Sequence, residues 1–303
     1  MFRCILPLLA MFVLLAQPAR AEPTLLRGLA AESPALGRPI PYTALVPDAP
    51  PPWPVLILLH AYNGGDDSWT DHVKAPDVLR AQIAAGASRP FLLVMPAVGN
   101  SWYVDDARPG GFGPVRRALA EDLPSAIAAR FPQAARCRAG WALGGNSMGG
   151  YGALLLALDR PDLFRAVAAF SPSVFRESAA RIPELPNLPM RNFAGLFGDP
   201  IDWTLFDSWT LVPRIARLPD APRPSFWLMA GSEDFAGIQD GTMRMHLALR
   251  RAGIETALRI TAGGHDDDTW RAALPEALGW LSARVEPEAC GAMPLPPPRP
   301  APG

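Results

Sequence analysis

The chain has 303 residues, with 28 Lys and Arg against 29 Asp and Glu, a formal net charge of −1, and 49% hydrophobic residues. That length and apolar content suit one globular domain with a sizeable core and exclude a natively disordered chain. The near-neutral balance excludes a nucleic-acid partner, which would call for a basic patch.

Residues 1–21 carry Arg3, an apolar stretch over 5–16 and a small-residue end, Ala19-Arg20-Ala21. This is the pattern of a secretory signal peptide cut after Ala21, so the mature chain is expected to be secreted or periplasmic. The apolar stretch is short for a bilayer span and is interrupted at Pro7 and Pro18, and no transmembrane segment is expected in the mature chain.

Short apolar runs follow at 55–59, 91–95, 139–143, 166–170, 226–230 and 257–260. Such runs read as strands covered on both faces. Helical segments are predicted between most of them, at 75–85, 115–130, 148–158, 241–252 and 269–283, and Pro124 is expected to kink or split the second. The alternation predicts an α/β fold, with a mostly parallel central sheet and helices on both faces. Ligands of such sheets sit at the carboxyl ends of the strands. Residues 173–224 read as a lid-like insertion carrying Phe193, Phe197, Trp203, Phe206 and Trp209, and residues 287–303 read as a Pro-rich disordered tail. Cys137 and Cys290 survive signal cleavage. They form either a disulfide, which an oxidising compartment permits, or two free thiols. There is no C-x-x-C, and neither a metal nor a cofactor is expected.

Gly145-Asn146-Ser147-Met148-Gly149 lies between a predicted strand and a predicted helix. This is the G-x-S-x-G nucleophile elbow in its required context. A serine hydroxyl barely ionises at neutral pH, so Ser147 needs a base. Of His60, His72, His246 and His265, the last follows a strand in the flexible loop Ala262-Gly263-Gly264-His265-Asp266 and is the candidate. His60 ends a strand and reads as a turn-shaping residue, His72 sits in an acidic loop, and His246 lies within a helical stretch. The acid that orients the histidine is read as Asp234, in Gly231-Ser232-Glu233-Asp234-Phe235, with Glu233 one residue away as its competitor. Asp266, Asp267 and Asp268 read as a solvated, helix-capping cluster. The order Ser, Asp, His is that of the α/β-hydrolases. The oxyanion donors are read as the amides of Met148 and Tyr62, with Ala61 as second choice for the latter. Ala61, Ser101, Trp102 and Tyr103 are expected to meet substrate, with Trp69 and Trp270 bordering the cleft.

Several stretches together resemble the esterase D family of α/β-hydrolases: Leu58-Leu59-His60-Ala61-Tyr62, Asn100-Ser101-Trp102-Tyr103-Val104-Asp105, Glu121-Asp122-Leu123-Pro124, Gly145 to Ala153, and Gly263-Gly264-His265. The resemblance implies an α/β-hydrolase domain over 22–286. It also implies Ser147 as nucleophile, Asp234 as acid, His265 as base, and the Tyr62 and Met148 amides as oxyanion hole. The implied activity is hydrolysis of carboxylic esters, either short-chain or with acyl or feruloyl groups on carbohydrate. The alternatives are acyl transfer to a sugar hydroxyl and a binding protein that keeps the fold without chemistry. Ala61 stands where the family usually has glycine, and Asn146 where it often has leucine or isoleucine. Export argues against S-formylglutathione hydrolase, a cytosolic member. The number of subunits is not legible.

Overall fold

The computed structural model describes residues 22–175 and 210–291. The leader 1–21, residues 176–209 of the insertion with its five named aromatics, and residues 292–303 of the tail lie outside the described residues.

Eight strands form one sheet: β1 Thr24–Ala31, β2 Ile40–Val46, β3 Val55–Leu59, β4 Leu92–Pro96, β5 Trp141–Asn146, β6 Ala166–Phe170, β7 Ser225–Gly231 and β8 Thr256–Thr261. Their order is β1-β2-β4-β3-β5-β6-β7-β8. The pairs from β4 to β8 are parallel, and β1 and β2 join antiparallel at one edge. The six predicted strands are all present. β1 and β2 are additions that the apolar-run criterion does not find. β1 is half exposed and irregular in register between Leu26 and Leu29, with Gly28 at φ 66°.

Strand alternation builds two cores. Val55, Ile57 and Leu59 of β3 enter one, and Leu56 and Leu58 enter the other. The helices Met148–Asp159 and Ala236–Arg251 cover the first face, through Leu154, Leu155, Met245 and Leu249. The helices Ala75–Ala84 and Asp267–Ser282 cover the second, through Leu79, Trp270, Leu274 and Leu278. Each fully buried Leu adds about 1.5–3 kcal/mol over an exposed one. The predicted helix at 115–130 is split into Val115–Arg117, a wider turn at Ala118–Asp122, and Leu123–Arg130. The three pieces run on without a break, and the wider turn lies just before Pro124, whose missing N–H leaves Ala120 O to accept from Arg160 Nη1 at 3.4 Å.

Two boundaries differ from the sequence reading. Leu211, Ile215 and Leu218 are buried in the main core, so 210–224 packs as part of the body rather than as a lid. Residues 287–290 do not belong to a disordered tail, because Pro287–Cys290 is a tight turn with Pro287 and Cys290 buried. A Cys137–Cys290 disulfide ties that turn to the segment leading into β5, with the two Cα atoms 5.2 Å apart. Among the described residues no helix is long and apolar enough to cross a membrane.

Candidate functional site

Ser147 sits between β5 and the helix Met148–Asp159 with φ 53° and ψ −115°, a region that non-glycine residues rarely occupy. The surroundings hold it there. Its amide donates to Phe170 O at 2.8 Å, and its carbonyl accepts from the Tyr151 and Ser173 amides at 3.0 and 3.3 Å. The flanking glycines are dictated by close approach. A Cβ on Gly145 would meet Gly149 O at 2.2 Å, and one on Gly149 would meet Leu59 O at 2.2 Å. The chain thus turns sharply enough to leave the Ser147 side chain partly exposed above the sheet.

His265 follows β8, and its Nε2 lies 2.8 Å from Ser147 Oγ. Its Nδ1 lies 2.8 Å from Asp234 Oδ1 in the turn after β7. A carboxylate only accepts, so Nδ1 carries the proton and Nε2 of the neutral ring is left to accept from the serine hydroxyl. The two loops are sewn together by Glu233 N donating to Gly263 O at 2.9 Å and Ser232 N donating to Thr261 O at 2.7 Å. Asp234 is buried and Glu233 is exposed, so of the two carboxylates Asp234 is the one in contact with the imidazole.

Burial works to raise the Asp234 pKa. Hydrogen bonding from His265 and from Ser171, the His265 charge and the Phe235 amide outweigh it, and the carboxyl titrates below the usual carboxylate range. The Ser171 hydroxyl assists without reaching good hydrogen-bonding geometry, since Asp234 Oδ2 is buried with no partner at normal range. Ser171 Oγ is itself held by Trp270 Nε1–H at 3.0 Å. The Trp270 ring stands edge-on to the His265 imidazole at 5.2 Å, so Trp270 braces both that ring and the neighbour of Asp234. Neither Ser171 nor the bracing role of Trp270 was legible in the sequence. A lone serine after a strand and a tryptophan in a helix carry no pattern of their own.

The loop after β3 is held rigidly. Tyr103 Oη donates to His60 O at 2.9 Å, and the side chains of Asn63 and Asn100 pair at 2.9 Å. The fully buried His60 uses Nδ1–H on Ala61 O at 2.8 Å and accepts from Val98 N at Nε2, 3.3 Å away. Burial lowers its pKa, so it is a neutral turn-former, as the sequence reading had it. In register, Leu59 pairs with Gly145, which sets Ala61 and Tyr62 beside the elbow. Among the described residues the Met148, Ala61 and Tyr62 amides find no hydrogen-bond acceptor, as oxyanion donors require.

The expected positions of Ser101, Tyr103 and Trp69 are corrected. Tyr103 and Ser101 are fully buried and do not line the cleft floor. Tyr103 packs where a Cβ on Gly152 would meet its ring at 2.4 Å, and Ser101 Oγ accepts from Tyr103 N at 3.2 Å. Both are buttresses of the loop. Trp102, at φ 53°, packs with tilted rings against Tyr62 and Phe175 in an aromatic group beside that loop, at centroid distances of 6.3 and 5.6 Å. Trp69 is buried against Phe170 and donates to Leu59 O at 2.9 Å, away from any cleft border. Asp266 caps the helix Asp267–Ser282 by accepting from Thr269 N at 2.8 Å, and Asp268 pairs with Arg271 at 2.7 Å. His246 bonds Thr256 Oγ1 at 3.2 Å, far along the chain from the elbow. Asn146 Oδ1 is buried without a partner, and nothing in the structure explains that choice of residue.

The profile of the family described as "Putative esterase" matches residues 33–281. An acetyl esterase of Caldicellulosiruptor saccharolyticus is 26% identical over 238 residues, 75% of this chain and 82% of that protein. An iron(III) salmochelin esterase of Escherichia coli O6:H1 is 31% identical over 175 residues, 57% of this chain but only 38% of that protein's length. Among solved structures, a ferulic acid esterase superposes with a TM-score of 0.70 at 22% identity, covering 87% of this chain and 99% of that one. At that identity the likeness concerns the fold, which is the α/β-hydrolase fold.

Proposed function

The chain belongs to the "Putative esterase" family and is a carboxylic ester hydrolase, and we propose that it is an exported serine esterase working through Ser147, His265 and Asp234. The observation that carries this reading is the unbroken chain of contacts from Ser147 Oγ to His265 to Asp234, each 2.8 Å, built on the strained elbow. Ser147 Oγ attacks the ester carbonyl while His265 Nε2 takes its proton. The carbonyl oxygen becomes an oxyanion, stabilised by the Met148 amide and by that of Tyr62 or Ala61. His265 then returns the proton to the departing alcohol, leaving an acyl-enzyme. Water attacks that intermediate by the same steps, and Ser147 is regenerated. A binding protein that had given up chemistry would have no use for a strained serine held against a paired imidazole. The substrates we propose are short-chain esters, or acyl and feruloyl esters of carbohydrate.

The testing experiment is turnover of p-nitrophenyl esters from acetate to decanoate, with ferulate. Turnover across part of the series is expected, and a folded protein inert on all of them would overturn the reading. The enzyme should be recovered outside the cytoplasm with Glu22 as its first residue by intact mass. An unprocessed Met1 terminus on cytoplasmic protein would remove the export claim.

The pH dependence follows from the charges. His265 must be neutral to accept a proton, so kcat/KM is expected to fall as pH drops, about tenfold per unit once the base is protonated. Asp234, held below the usual carboxylate range, remains ionised while this happens. The acid limb should therefore have a slope of one at its onset. A slope of two there would mean that carboxylate and imidazole protonate together, and a flat profile would exclude His265 as base.

A further inference from the structure

Phe235 is exposed at 61% of its surface, yet its ring centroid lies 5.2 Å from that of His265. Water-facing aromatic rings next to a reacting group call for an explanation, because the burial they forgo is worth about 1.5–3 kcal/mol. Among the described residues the fold gives none. The residue's structural task is its amide's donation to Asp234 Oδ1 at 2.8 Å, which any non-proline residue would perform.

The sheet order places the ring relative to the elbow. The oxyanion donors lie on the β3 side of the nucleophile strand β5, while the Asp234–Phe235 turn and His265 follow β7 and β8 on the other side. A bound ester thus has its carbonyl oxygen toward β3. Its alcohol oxygen lies toward β7 and β8, within about 3 Å of His265 Nε2, since that nitrogen must protonate it. An exposed ring 5.2 Å from that imidazole is within reach of what that oxygen carries.

We propose that Phe235 is a specificity-determining residue for the alcohol portion of the substrate, a platform for an alcohol that presents a flat apolar face. That face is either an aryl ring or the C–H face of a pyranose, which rest on a phenyl ring by the same stacking and dispersion forces. The proposal rests on the serine-esterase reading and deepens it. It assigns the alcohol side to Phe235 and leaves the acyl side to other residues.

The test compares wild type, Phe235→Ala and Phe235→Tyr on three acetates: ethyl acetate, phenyl acetate and an acetylated methyl xyloside. Reading each variant against wild type on the same ester cancels the intrinsic reactivity of the leaving group. In Phe235→Ala the preference for a ring alcohol over ethanol, as a ratio of kcat/KM values, is expected to fall about three- to tenfold. Phe235→Tyr should retain the preference. The acyl profile, from ethyl acetate to ethyl octanoate, should keep its shape in both variants. Loss with phenyl acetate alone identifies aryl alcohols as the ligands, and loss with the xyloside alone identifies sugars; either supports the platform. An equal loss on all three esters would overturn it, because Phe235 would then act only by propping His265. Unchanged ratios on both ring esters would overturn it as well. Failure of the underlying reading looks different: wild type itself would be inert, or Ser147→Ala would remain active.

Discussion

Ser147→Ala is expected to reduce kcat/KM on p-nitrophenyl esters by about 10⁶-fold, to the level that binding and the oxyanion donors alone sustain. The reason is that, among the described residues, no other nucleophile is held against His265 Nε2. His265 Nε2 points at Ser147 Oγ, and the elbow presents that one side chain. The same substitution should abolish labelling by a fluorophosphonate, which needs the activated hydroxyl. The variant should stay folded. Alanine tolerates the φ of 53° no worse than serine, and the backbone bonds of residue 147 to Phe170, Tyr151 and Ser173 do not involve the side chain. Unchanged circular dichroism and melting would therefore accompany the loss. Labelling that persists in the variant would mean that the reactive group lies elsewhere.

The elbow was legible in the sequence because its residues are forced by contact distances. No side chain fits at 145 or 149, so the glycine spacing survives as a readable mark. The strands β3 to β7 were legible because burial on both faces removes polar residues from them. β1 and β2 were not: the edge strand β1 is half exposed with an irregularity at Gly28, and β2, though mostly buried, carries Pro41 and Thr43, which interrupt its apolar run. Within the site, the difference lies between position in the chain and direction of the side chain. Ser101 and Tyr103 follow a strand at its ligand-binding end, and from that alone they belong to the cleft. Their burial depends on the vacancy at Gly152 and on the carbonyl of His60, which only the assembled fold brings near. Phe235 is the converse case. One phenylalanine beside a carboxylate has no signature in sequence, and its exposure beside His265 exists only once β7 and β8 lie side by side.

The choice between Asp234 and Glu233 carries the second large effect. Asp234→Asn is expected to cost about 10⁴-fold in kcat with little change in KM. An asparagine fits the site, but its NH₂ can face His265 Nδ1, so the imidazole proton moves to Nε2 and that nitrogen no longer accepts from Ser147. The charge that stabilises the imidazolium in the transition state is lost at the same time. Glu233→Gln, one residue away, should change kcat/KM less than about twofold, because an exposed side chain contributes little to a buried pair. The sequence alone permits the opposite result, since sliding the turn by one residue would exchange the two carboxyls. The bonds from Ser232 N to Thr261 O and from Glu233 N to Gly263 O prevent that slide. They fix the turn to the histidine loop with residue 234 facing inward. A large loss in Glu233→Gln with a mild one in Asp234→Asn would show that this register is wrong. Comparable losses in both would show that the acid acts through the field of the whole turn rather than through one hydrogen bond to Nδ1.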